Sequence, residues 1–425
     1  MKINRLNVAG LRGFDQAPFD FDPHFTLLVG VNGVGKSSVL EALRVSLSRV
    51  LPKFTDSRAA SLAFSAEDIR LGSPSLTVDV DFEFPDGEKQ HLLLHKPRER
   101  FVSDEEGSVR RSTIDTPERE ELTPLRFTKP YPPGTQPVGV YFGTRRSHPT
   151  DEQVKVSRAR GGQAAAFADA LSDVRALHLR DMASWMLAQE ALAKELPRAR
   201  SQLDALKSAA GSFLPTCTGL RATNGADKPR LLITKDGTEL DVRYLSEGER
   251  GMLALALDLA RRLSQANPAL DDPVREGFGV VLIDEIDMHM HPTWQREIMS
   301  LLTCTFRNCQ FIASTHSPQI IGETQPERVI LLQVEDGKIL PRRCGQAYGL
   351  DSNAILEQIM GTTSRAEPAR QAIAAVEAAL DEGELDRART LVAELRKLLH
   401  GDDPAVVGLE ATIHNLEALG DAPDH

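Results

Sequence analysis

The first fifty residues pass from a strand-like pattern of apolar positions to a helical one. "INRLNV" alternates apolar and polar residues, and "FTLLVG" is a short apolar run, as β-strands commonly are. After a glycine-rich segment, apolar positions recur at helical spacing on one face: Val39, Leu40, Leu43, Leu47 and Val50. The pattern therefore predicts a strand, a glycine loop and a helix, in that order.

Two later segments alternate strictly and contain a turn signal. Residues 75–84 place every second residue on one apolar side, and an Asp-Gly pair at 86–87 leads into "KQHLLLH". Residues 229–246 repeat this arrangement around the Asp-Gly pair at 236–237. We expect two antiparallel hairpins beside the main sheet.

Two other segments are apolar almost throughout. They are "GFGVVLIDEID" at 277–287 and "CQFIASTHSP" at 309–318. Strands of a parallel sheet are buried on both faces, so they lack the alternation of a half-exposed strand. We expect two parallel strands, one ending in acidic residues and the other in a histidine.

The rest of the chain is either irregular or helical. Residues 96–136 are rich in charge and proline and have no periodicity, so we expect a surface excursion without regular structure. Helical spacing covers residues 151–210 and returns from about residue 351. The chain thus combines a mixed sheet with a helical insertion and a helical tail.

The charge balance limits the partners of the chain. Its 50 Lys and Arg residues face 61 Asp and Glu residues, which gives a net charge of -11 and a pI near 5.6. A protein that coats nucleic acid through a broadly basic surface would show the opposite balance. Any DNA contact is therefore expected at a local basic patch.

Cysteine usage and hydropathy indicate the compartment. The cysteines at positions 217, 304, 309 and 344 form no CxxC pair and have no histidine at zinc spacing, so we expect reduced, mostly buried thiols. The amino terminus lacks an apolar leader segment, and no run of eighteen apolar residues occurs. We expect a cytoplasmic protein with no membrane partner.

The segment "GVNGVGKSS" at 30–38 fits the pattern of a phosphate-binding loop. Its glycines let backbone amides curl around a β-phosphate, Lys36 reaches the β- and γ-phosphate oxygens, and the Ser37 hydroxyl ligates magnesium. A chance glycine turn is the alternative. The strand predicted before the loop and the helix after it favour the functional interpretation, so Gly30, Gly35, Lys36 and Ser37 predict a site for ATP and Mg²⁺.

Acidic residues end the strand at 277–287. Asp284 can hold magnesium through water, and Glu285 can orient and deprotonate an attacking water. A solvated acidic strand end is the alternative, which the glycine loop elsewhere in the chain disfavours. His316, at the mouth of the neighbouring strand, can donate an imidazole hydrogen bond to the γ-phosphate. These three residues are the predicted catalytic group.

Two other pairs of residues carry weaker signals. His289 and His291 form an "HMH" sequence, but a third metal ligand is missing and we favour packing or loop roles. Arg145 and Arg146 follow a predicted strand and are candidates for nucleotide or DNA contacts. An ordinary salt-bridged surface explains the two arginines equally well.

A second anion site is predicted at "YLSEGER", residues 244–250, where helical spacing begins. Ser246 and Gly248 there offer backbone amides and the positive end of a helix dipole to a polyanion. The order of glycine loop, "LSEGER", "LIDEID" and "STHSP" resembles the ATP-binding-cassette ATPases of the SMC, RecF and OLD group. In that family the signature loop binds the γ-phosphate held by the other subunit. The resemblance implies an ATP-bridged homodimer, which higher oligomers such as a trimer of dimers can extend.

The resemblance also assigns roles to individual residues. The nucleotide contacts that it implies are Arg12, Asn32, Gly33, Val34, Gly35, Lys36, Ser37 and Ser38. The signature residues that act on the partner's nucleotide are Ser246, Glu247 and Gly248, and the D-loop residue is Asp287. Catalysis is assigned to Asp284, Glu285 and His316, with Ser37 and Asp284 as the metal ligands.

Further segments, spread over nearly the whole chain, resemble one group within that family. "LRGF", "SAEDIRLG", "VYFGTRR", "LIDEIDMHMHPTWQ" and especially the tail, "YGLDSNAILEQIMG" with "DEGELDRARTLVAEL", resemble the PtuA ATPases of bacterial Septu anti-phage systems and their retron-linked relatives. This resemblance implies a defence ATPase that controls a separate HNH nuclease subunit of PtuB type, with DNA as the target. After His316 no cluster of metal-binding acids appears, so the chain is not expected to be a nuclease itself.

Two alternative functions share these motifs. A DNA-repair or chromosome-maintenance ATPase of the RecF or SMC type uses the same chemistry without an immune role. A motor subunit of a membrane transporter is disfavoured by the "LRGF" start, the long insertion and the helical tail.

The predicted fold class is α/β, a P-loop NTPase of the ABC-ATPase head type. It combines a mixed parallel sheet and an antiparallel β subdomain with a helical insertion and a helical C-terminal tail. The expected divisions are an N-terminal lobe at 1–150, a helical insertion at 151–225, a C-terminal lobe at 226–350 and a helical region at 351–425. In that last region, one helical face is a candidate docking or oligomerisation surface, with simple packing as the alternative: Leu391, Leu395 and Leu398.

Overall fold

The central layer of the molecule is a six-stranded sheet. The computed structural model of the chain describes residues 1–98, 100–103, 109–112, 118–123, 131–144, 162–173, 179–225, 228–401 and 403–420. The strands of this sheet are β3 (Phe25–Val29), β9 (Val138–Phe142), β13 (Phe278–Ile283), β14 (Asn308–Thr315), β15 (Val329–Glu335) and β16 (Lys338–Arg343). Their order is β16-β15-β3-β14-β13-β9, and only the edge pair β15 and β16 is antiparallel. The predicted buried parallel strands are confirmed.

A five-stranded antiparallel sheet lies beside the first. Its strands are β1 (Lys2–Leu11), β2 (Phe14–Asp20), β4 (Ser75–Glu83), β5 (Lys89–Pro97) and β8 (Arg119–Thr123), in the order β2-β1-β4-β5-β8. In β4 the burial alternates residue by residue, as the predicted hairpin requires. The inward face joins the main hydrophobic core together with helix α1 (Lys36–Phe54).

Smaller sheets complete the β structure. Strands β10 (Cys217–Asn224), β11 (Pro229–Lys235) and β12 (Thr238–Asp241) form an antiparallel sheet, and β6 (Arg100–Ser103) pairs with β7 (Val109–Ser112). The second predicted hairpin is confirmed by β11 and β12. Asp236 and Gly237 at its turn both have positive φ angles, which an Asp-Gly pair accepts at low cost.

Two expectations from the pattern were wrong. Residues 96–136 were expected to lack regular structure, yet they contribute β6, β7 and β8. Only Leu122 is buried in β8, an edge strand that pairs through its backbone. Its sequence therefore shows no alternation of apolar and polar residues. The segment Cys217–Asn224, expected within the helical insertion, is strand β10.

Helices cover the central sheet and form the insertion. They are α2 (Leu179–Leu192), α3 (Pro197–Phe213), α4 (Glu247–Ala266), α5 (Pro273–Glu276), α6 (Pro292–Thr305) and α7 (Pro318–Gly322), followed by α8 (Ser352–Ala354) and a π turn at Ile355–Ile359. The apolar face predicted for α1 is fully buried: Val39, Leu40, Leu43, Leu47 and Val50. Helix α4 has a buried face that runs its whole length, so the signature segment begins on a firmly packed helix.

The chain divides into two compact units, Met1–Ile355 and Leu356–His425. The second unit contains α9 (Glu367–Asp381), α10 (Leu385–Leu399) and α11 (Pro404–Gly420). Its own small core includes Leu395, and Leu391 packs against that core. Leu398 is 47% exposed, so the leucine face predicted on this tail is divided between packing and solvent.

The cysteines and the helices bear on the expected compartment. All four cysteines are free, with Cys217 and Cys309 buried, Cys344 half-buried and Cys304 exposed, so only two match the expected burial. Within the described residues, none of the helices combines the length and the apolar character that crossing a bilayer requires.

Candidate nucleotide-binding site

The glycine-rich loop connects β3 to α1 at the carboxyl edge of the central sheet. Gly30, Gly33 and Gly35 have φ angles of 152°, 80° and 100°, which other residues rarely adopt. A Cβ at position 35 would lie 2.8 Å from the ring of Phe14, so the loop also needs glycine for close packing. Around Gly33 nothing lies within 4 Å of the Cβ position, which leaves the tip of the loop open. The loop has the curvature that lets backbone amides surround a phosphate.

Lys36 begins α1 and turns back across the loop. Its Nζ donates to the carbonyl oxygens of Gly30, at 2.8 Å, and Val31, at 3.1 Å. Burial lowers the pKa of Lys36 to about 8, although the carboxylates that include Asp284 and Glu285 oppose the shift. A buried ammonium group is thus held at the loop, where a polyanion would restore its full charge.

Asp284 follows β13 and faces the first turn of α1. Its Oδ1 lies 3.3 Å from the Ser37 Oγ and accepts a 2.5 Å hydrogen bond from the Ser314 Oγ. Hydroxyl and carboxylate oxygens are the ligands that Mg²⁺ prefers. Ser37 and Asp284, the two predicted metal ligands, are 247 positions apart in the sequence but adjacent in the structure. Their oxygen atoms suit magnesium chemically.

Glu285 and Asp287 follow Asp284 on a tight turn. Glu285 has a φ of 48°, an unusual backbone for a non-glycine residue, and its amide donates to the Ser314 Oγ at 2.8 Å. The Asp287 Oδ1 accepts hydrogen bonds from the Thr315 Oγ1, at 2.6 Å, and from the His316 amide, at 3.4 Å. These contacts join the acidic loop to the end of β14 and set the direction of the Glu285 side chain.

His316 is half-buried at the exit of β14. Burial and the nearby Lys36 ammonium group lower the pKa of His316, although Asp287 and Glu285 oppose the shift. The imidazole is therefore neutral at neutral pH, and one ring nitrogen can donate a hydrogen bond. The structure brings the three predicted catalytic residues to the same edge of the sheet as the glycine loop.

The other predicted nucleotide contacts differ in exposure. Asn32, Gly33 and Ser37 are exposed, whereas Val34 is buried in the hydrophobic core and so offers only its backbone to a ligand. Ser38 is buried too, and its Oγ lies 3.5 Å from an Arg12 guanidinium nitrogen.

Arg12 is positioned beside α1 by a second segment of the chain. Its guanidinium binds Asp68 at 2.8 Å, and the two backbones are joined by a 2.7 Å hydrogen bond from the Arg12 amide. The "LRGF" and "SAEDIRLG" segments therefore form one structural unit next to the glycine loop. The Arg12 side chain remains 42% exposed, so its charge is available at the mouth of the site.

The signature segment forms the N-terminus of α4. Ser246 and Glu249 make a capping box, in which the Ser246 Oγ accepts from the Glu249 amide and Glu249 accepts from the Ser246 amide and hydroxyl. Lys235 donates a 2.6 Å hydrogen bond to Glu249. The second acid in "LSEGER" is thus a buried capping residue, while Ser246 and Glu247 are exposed.

The signature segment packs on the acidic loop of its own chain. A Cβ at Gly248 would lie 2.4 Å from the His289 carbonyl oxygen, and the His289 Nδ1 lies 3.6 Å from Glu247. No hydrogen bond or ion pair between described residues joins Ser246, Glu247 or Gly248 to the glycine loop of the same chain. Within the described part of one protomer, the two predicted anion sites therefore make no polar contact with each other.

The two weaker sequence signals were the "HMH" histidines and the arginine pair at 145 and 146. His291 caps α6, because its Nδ1 accepts from the Thr293 amide, and His289 contacts the signature segment. This agrees with loop roles for "HMH" rather than metal binding. Arg145 and Arg146 lie outside the described residues.

Sequence reasoning missed three polar residues that hold the site in place. Ser314 joins Asp284 to Glu285, and Glu249 caps the signature helix. Gln295 accepts from Ser317 at 2.6 Å and donates to the Met290 carbonyl oxygen, linking the acidic loop to the histidine segment. The hydroxyl in the otherwise apolar run "QFIAST" was the signal available for Ser314.

Replacing Ser314 by alanine is expected to lower stability by about 1–3 kcal/mol, because it removes the hydrogen bonds that the Ser314 hydroxyl makes with the Asp284 carboxylate and the Glu285 amide. The ATPase kcat should fall about tenfold or more with little change in KM, since Ser314 positions catalytic groups rather than binding substrate. Urea denaturation and steady-state kinetics measure the two effects. Ser46→Ala is the matched control, because that buried hydroxyl bonds only a carbonyl within its own helix. Equal kcat values for Ser314→Ala and Ser46→Ala would contradict the positioning role.

The sheet order, the glycine loop and the acidic strand end define an α/β P-loop NTPase of the ABC-ATPase head type. A family model described as "AAA domain, putative AbiEii toxin, Type IV TA system" matches residues 25–322, well over half of the chain. The chain belongs to this AAA-domain family.

Individual relatives match shorter segments. The retron Vc95 probable ATPase of Vibrio cholerae is 44% identical over 106 residues, which cover 25% of this chain and 20% of that protein. The Septu protein PtuA of Bacillus thuringiensis is 28% identical over 181 residues, 41% of this chain and 46% of that protein. The chain thus spans less than half the length of these relatives. The resemblance to PtuA and retron ATPases is confirmed.

Among solved structures, the SMC head domain from Thermotoga maritima has 16% identity and a TM-score of 0.43, over 81% of this chain and 100% of that one.

Proposed function

We propose that the chain hydrolyses ATP as the ATPase subunit of a bacterial anti-phage system of the Septu type. The observation that carries the proposal is the convergence of Lys36, Ser37, Asp284, Glu285 and His316 at one sheet edge. The similarity to PtuA and to retron ATPases supports the defence role.

In the proposed reaction the glycine loop holds the phosphates of ATP. Backbone amides from Asn32 to Ser38 bind the β-phosphate, and Lys36 exchanges its bonds to loop carbonyls for bonds to phosphate oxygens. Arg12 adds a positive charge at the mouth of the site. Ser37 and Asp284 would hold Mg²⁺, which when bound neutralises charge on the β- and γ-phosphates.

The chemical step belongs to the acidic loop and the histidine segment. Glu285 orients a water in line with the γ-phosphorus and accepts its proton. His316, neutral because its pKa is lowered, donates a hydrogen bond to the γ-phosphate and stabilises the charge that shifts toward its oxygens. Asp287 fixes the start of the histidine segment through Thr315.

We propose that each site is completed by a second copy of the chain. The separation of Ser246 and Gly248 from the glycine loop within one protomer favours this arrangement, because a helix N-terminus with exposed Ser246 is a suitable partner for a γ-phosphate. Apolar side chains are exposed beside both anion sites: Val31, at 51%, and Tyr244, at 78%.

The proposed biological role places the ATPase upstream of a separate enzyme. The closed dimer, or an oligomer of such dimers, would control an HNH nuclease subunit of PtuB type that cuts DNA in the cytoplasm. The similarity to a Septu protein supports this role. A role in DNA repair or chromosome maintenance is the alternative outcome of the test below.

The test combines the purified chain with its proposed partner. The chain alone should release phosphate from ATP with Mg²⁺ and not with EDTA, and it should leave plasmid DNA intact. Addition of an HNH nuclease subunit of PtuB type should produce ATP-dependent cleavage. Magnesium-dependent cleavage by the chain alone, unaffected by Lys36→Ala, would refute the two-protein model. Phosphate release without any effect of the HNH protein would favour the DNA-repair alternative.

A further inference from the structure

A cavity of about 220 Å³ lies where the start of α2 meets β11 and the turn Val242–Tyr244. A single water needs only roughly 10–15 Å³, so this cavity has room for a much larger group. Among the described residues that line it, four are basic and one is acidic: Arg180, Lys228, Arg230, Arg243 and Asp241. In a chain with a net charge of -11, this is a marked local excess of positive charge.

The single carboxylate among these residues is already engaged by one arginine. Arg243 binds Asp241 through two hydrogen bonds, from Nε at 3.0 Å and from Nη2 at 2.9 Å. This pair occupies both carboxylate oxygens of Asp241, and Arg230 acts on that carboxylate only through its charge. Within the described part of the chain, no ion pair occupies Lys228 or Arg230.

Arg180 gives the strongest indication of a ligand. Its Nη2 atom is buried and has no hydrogen-bond partner among the described residues. A buried donor without an acceptor is destabilising, and more so when the group is charged. An anion in the cavity would supply the acceptor, and the planar guanidinium matches phosphate oxygens well.

We propose that this cavity binds a backbone phosphate of DNA, with the buried Nη2 atom of the half-buried Arg180 as the anchor and Lys228 and Arg230 at the exposed rim. The proposal rests on the proposed function, in which DNA is the target. It locates the local basic patch that an acidic protein needs for a DNA contact. Phosphate contacts of this type position nucleic acid without reading its sequence.

The cavity is directly connected to the signature segment. The turn Val242–Tyr244 lines it and leads within two residues to Ser246. In addition, an Arg250 guanidinium nitrogen donates to the Arg243 carbonyl oxygen at 2.8 Å, which ties the first turn of α4 to the cavity wall. Bound DNA would therefore contact the same short segment that presents Ser246 to a second protomer.

Fluorescence anisotropy with a short labelled DNA duplex tests the proposal. The double variant Lys228→Glu/Arg230→Glu and the single variant Arg180→Gln are each expected to bind DNA about tenfold more weakly or worse. The dependence of log Kd on log salt should become shallower by about one for each phosphate that the variant no longer binds. Arg180→Lys, which keeps the charge, should recover part of the affinity. The matched control is Arg307→Glu, which reverses an exposed charge outside the cavity.

The measurement is made with and without a non-hydrolysable ATP analogue, so it does not depend on hydrolysis. Failure of the proposed function appears as a wild-type chain without ATPase activity, whereas failure of this inference appears in the binding curves alone. Equal affinities for wild type and the cavity variants would overturn it, as would a wild-type chain that does not bind DNA. Pyrophosphate binding is measured in parallel. Loss of pyrophosphate binding with unchanged DNA binding would assign the cavity to a free phosphate compound and also overturn the inference.

Discussion

Replacing Glu285 by glutamine is expected to slow ATP hydrolysis by at least about 100-fold while leaving ATP affinity close to that of the wild type. The substitution removes the carboxylate that accepts the proton of the attacking water. It keeps the backbone that donates to Ser314 and leaves Lys36 and Asp284 in place. ATP-bound dimers should accumulate, because the bridging nucleotide is no longer consumed. Phosphate release and size-exclusion chromatography with ATP measure the two effects.

The matched control for this substitution is Glu297→Gln. Glu297 lies exposed on α6, so the same isosteric exchange there should leave hydrolysis unchanged. Wild-type turnover by the Glu285→Gln protein would show that another residue is the base. A loss of ATP affinity as large as the loss in rate would instead assign Glu285 to substrate binding.

Mixing two inactive variants is expected to restore about a quarter of the wild-type ATPase activity. Lys36→Ala removes the phosphate ligand of one partial site, and Ser246→Arg blocks the other with a bulky side chain. Random exchange makes half of the dimers mixed, and each mixed dimer has one intact site of two. Activity is measured after subunit exchange, which is confirmed by pull-down of differently tagged chains.

Two results would contradict the shared site. One is full activity of a protein that remains monomeric under assay conditions. The other is no recovery although exchange is proven. Ser212→Arg serves as the control for a bulky side chain on another exposed helix, and it should be active by itself.

The central sheet and the glycine loop could be predicted because their signals are local. A buried parallel strand is apolar residue by residue, and the loop needs glycine and Lys36 at fixed spacing. The pairing of Ser37 with Asp284 was also predictable, since the carboxyl ends of all the parallel strands, including β3 and β13, lie at one edge of the sheet.

The features that were missed depend on partners distant in sequence. Ser314 contacts Asp284 at the end of the neighbouring strand, and a hydroxyl within "QFIAST" does not by itself show which distant group it bonds. Strand β8 is held by backbone pairing with β5 and buries only Leu122, so its composition is that of a loop. The cavity around Arg180 collects its basic residues from three separate segments.

In the proposed dimer, the close approach of Gly248 to the His289 carbonyl oxygen would make the two nucleotide sites depend on each other. One chain of this dimer supplies Glu285 to the first nucleotide and Ser246 to the second, and Glu285 and His289 are only four positions apart. Any displacement of the acidic loop after hydrolysis would be transmitted through this close packing to the helix that begins at the signature segment. The two sites should turn over in alternation rather than at random. The recovery of one quarter applies to independent sites, so a departure of the mixed dimers from that value would measure the coupling between the two sites.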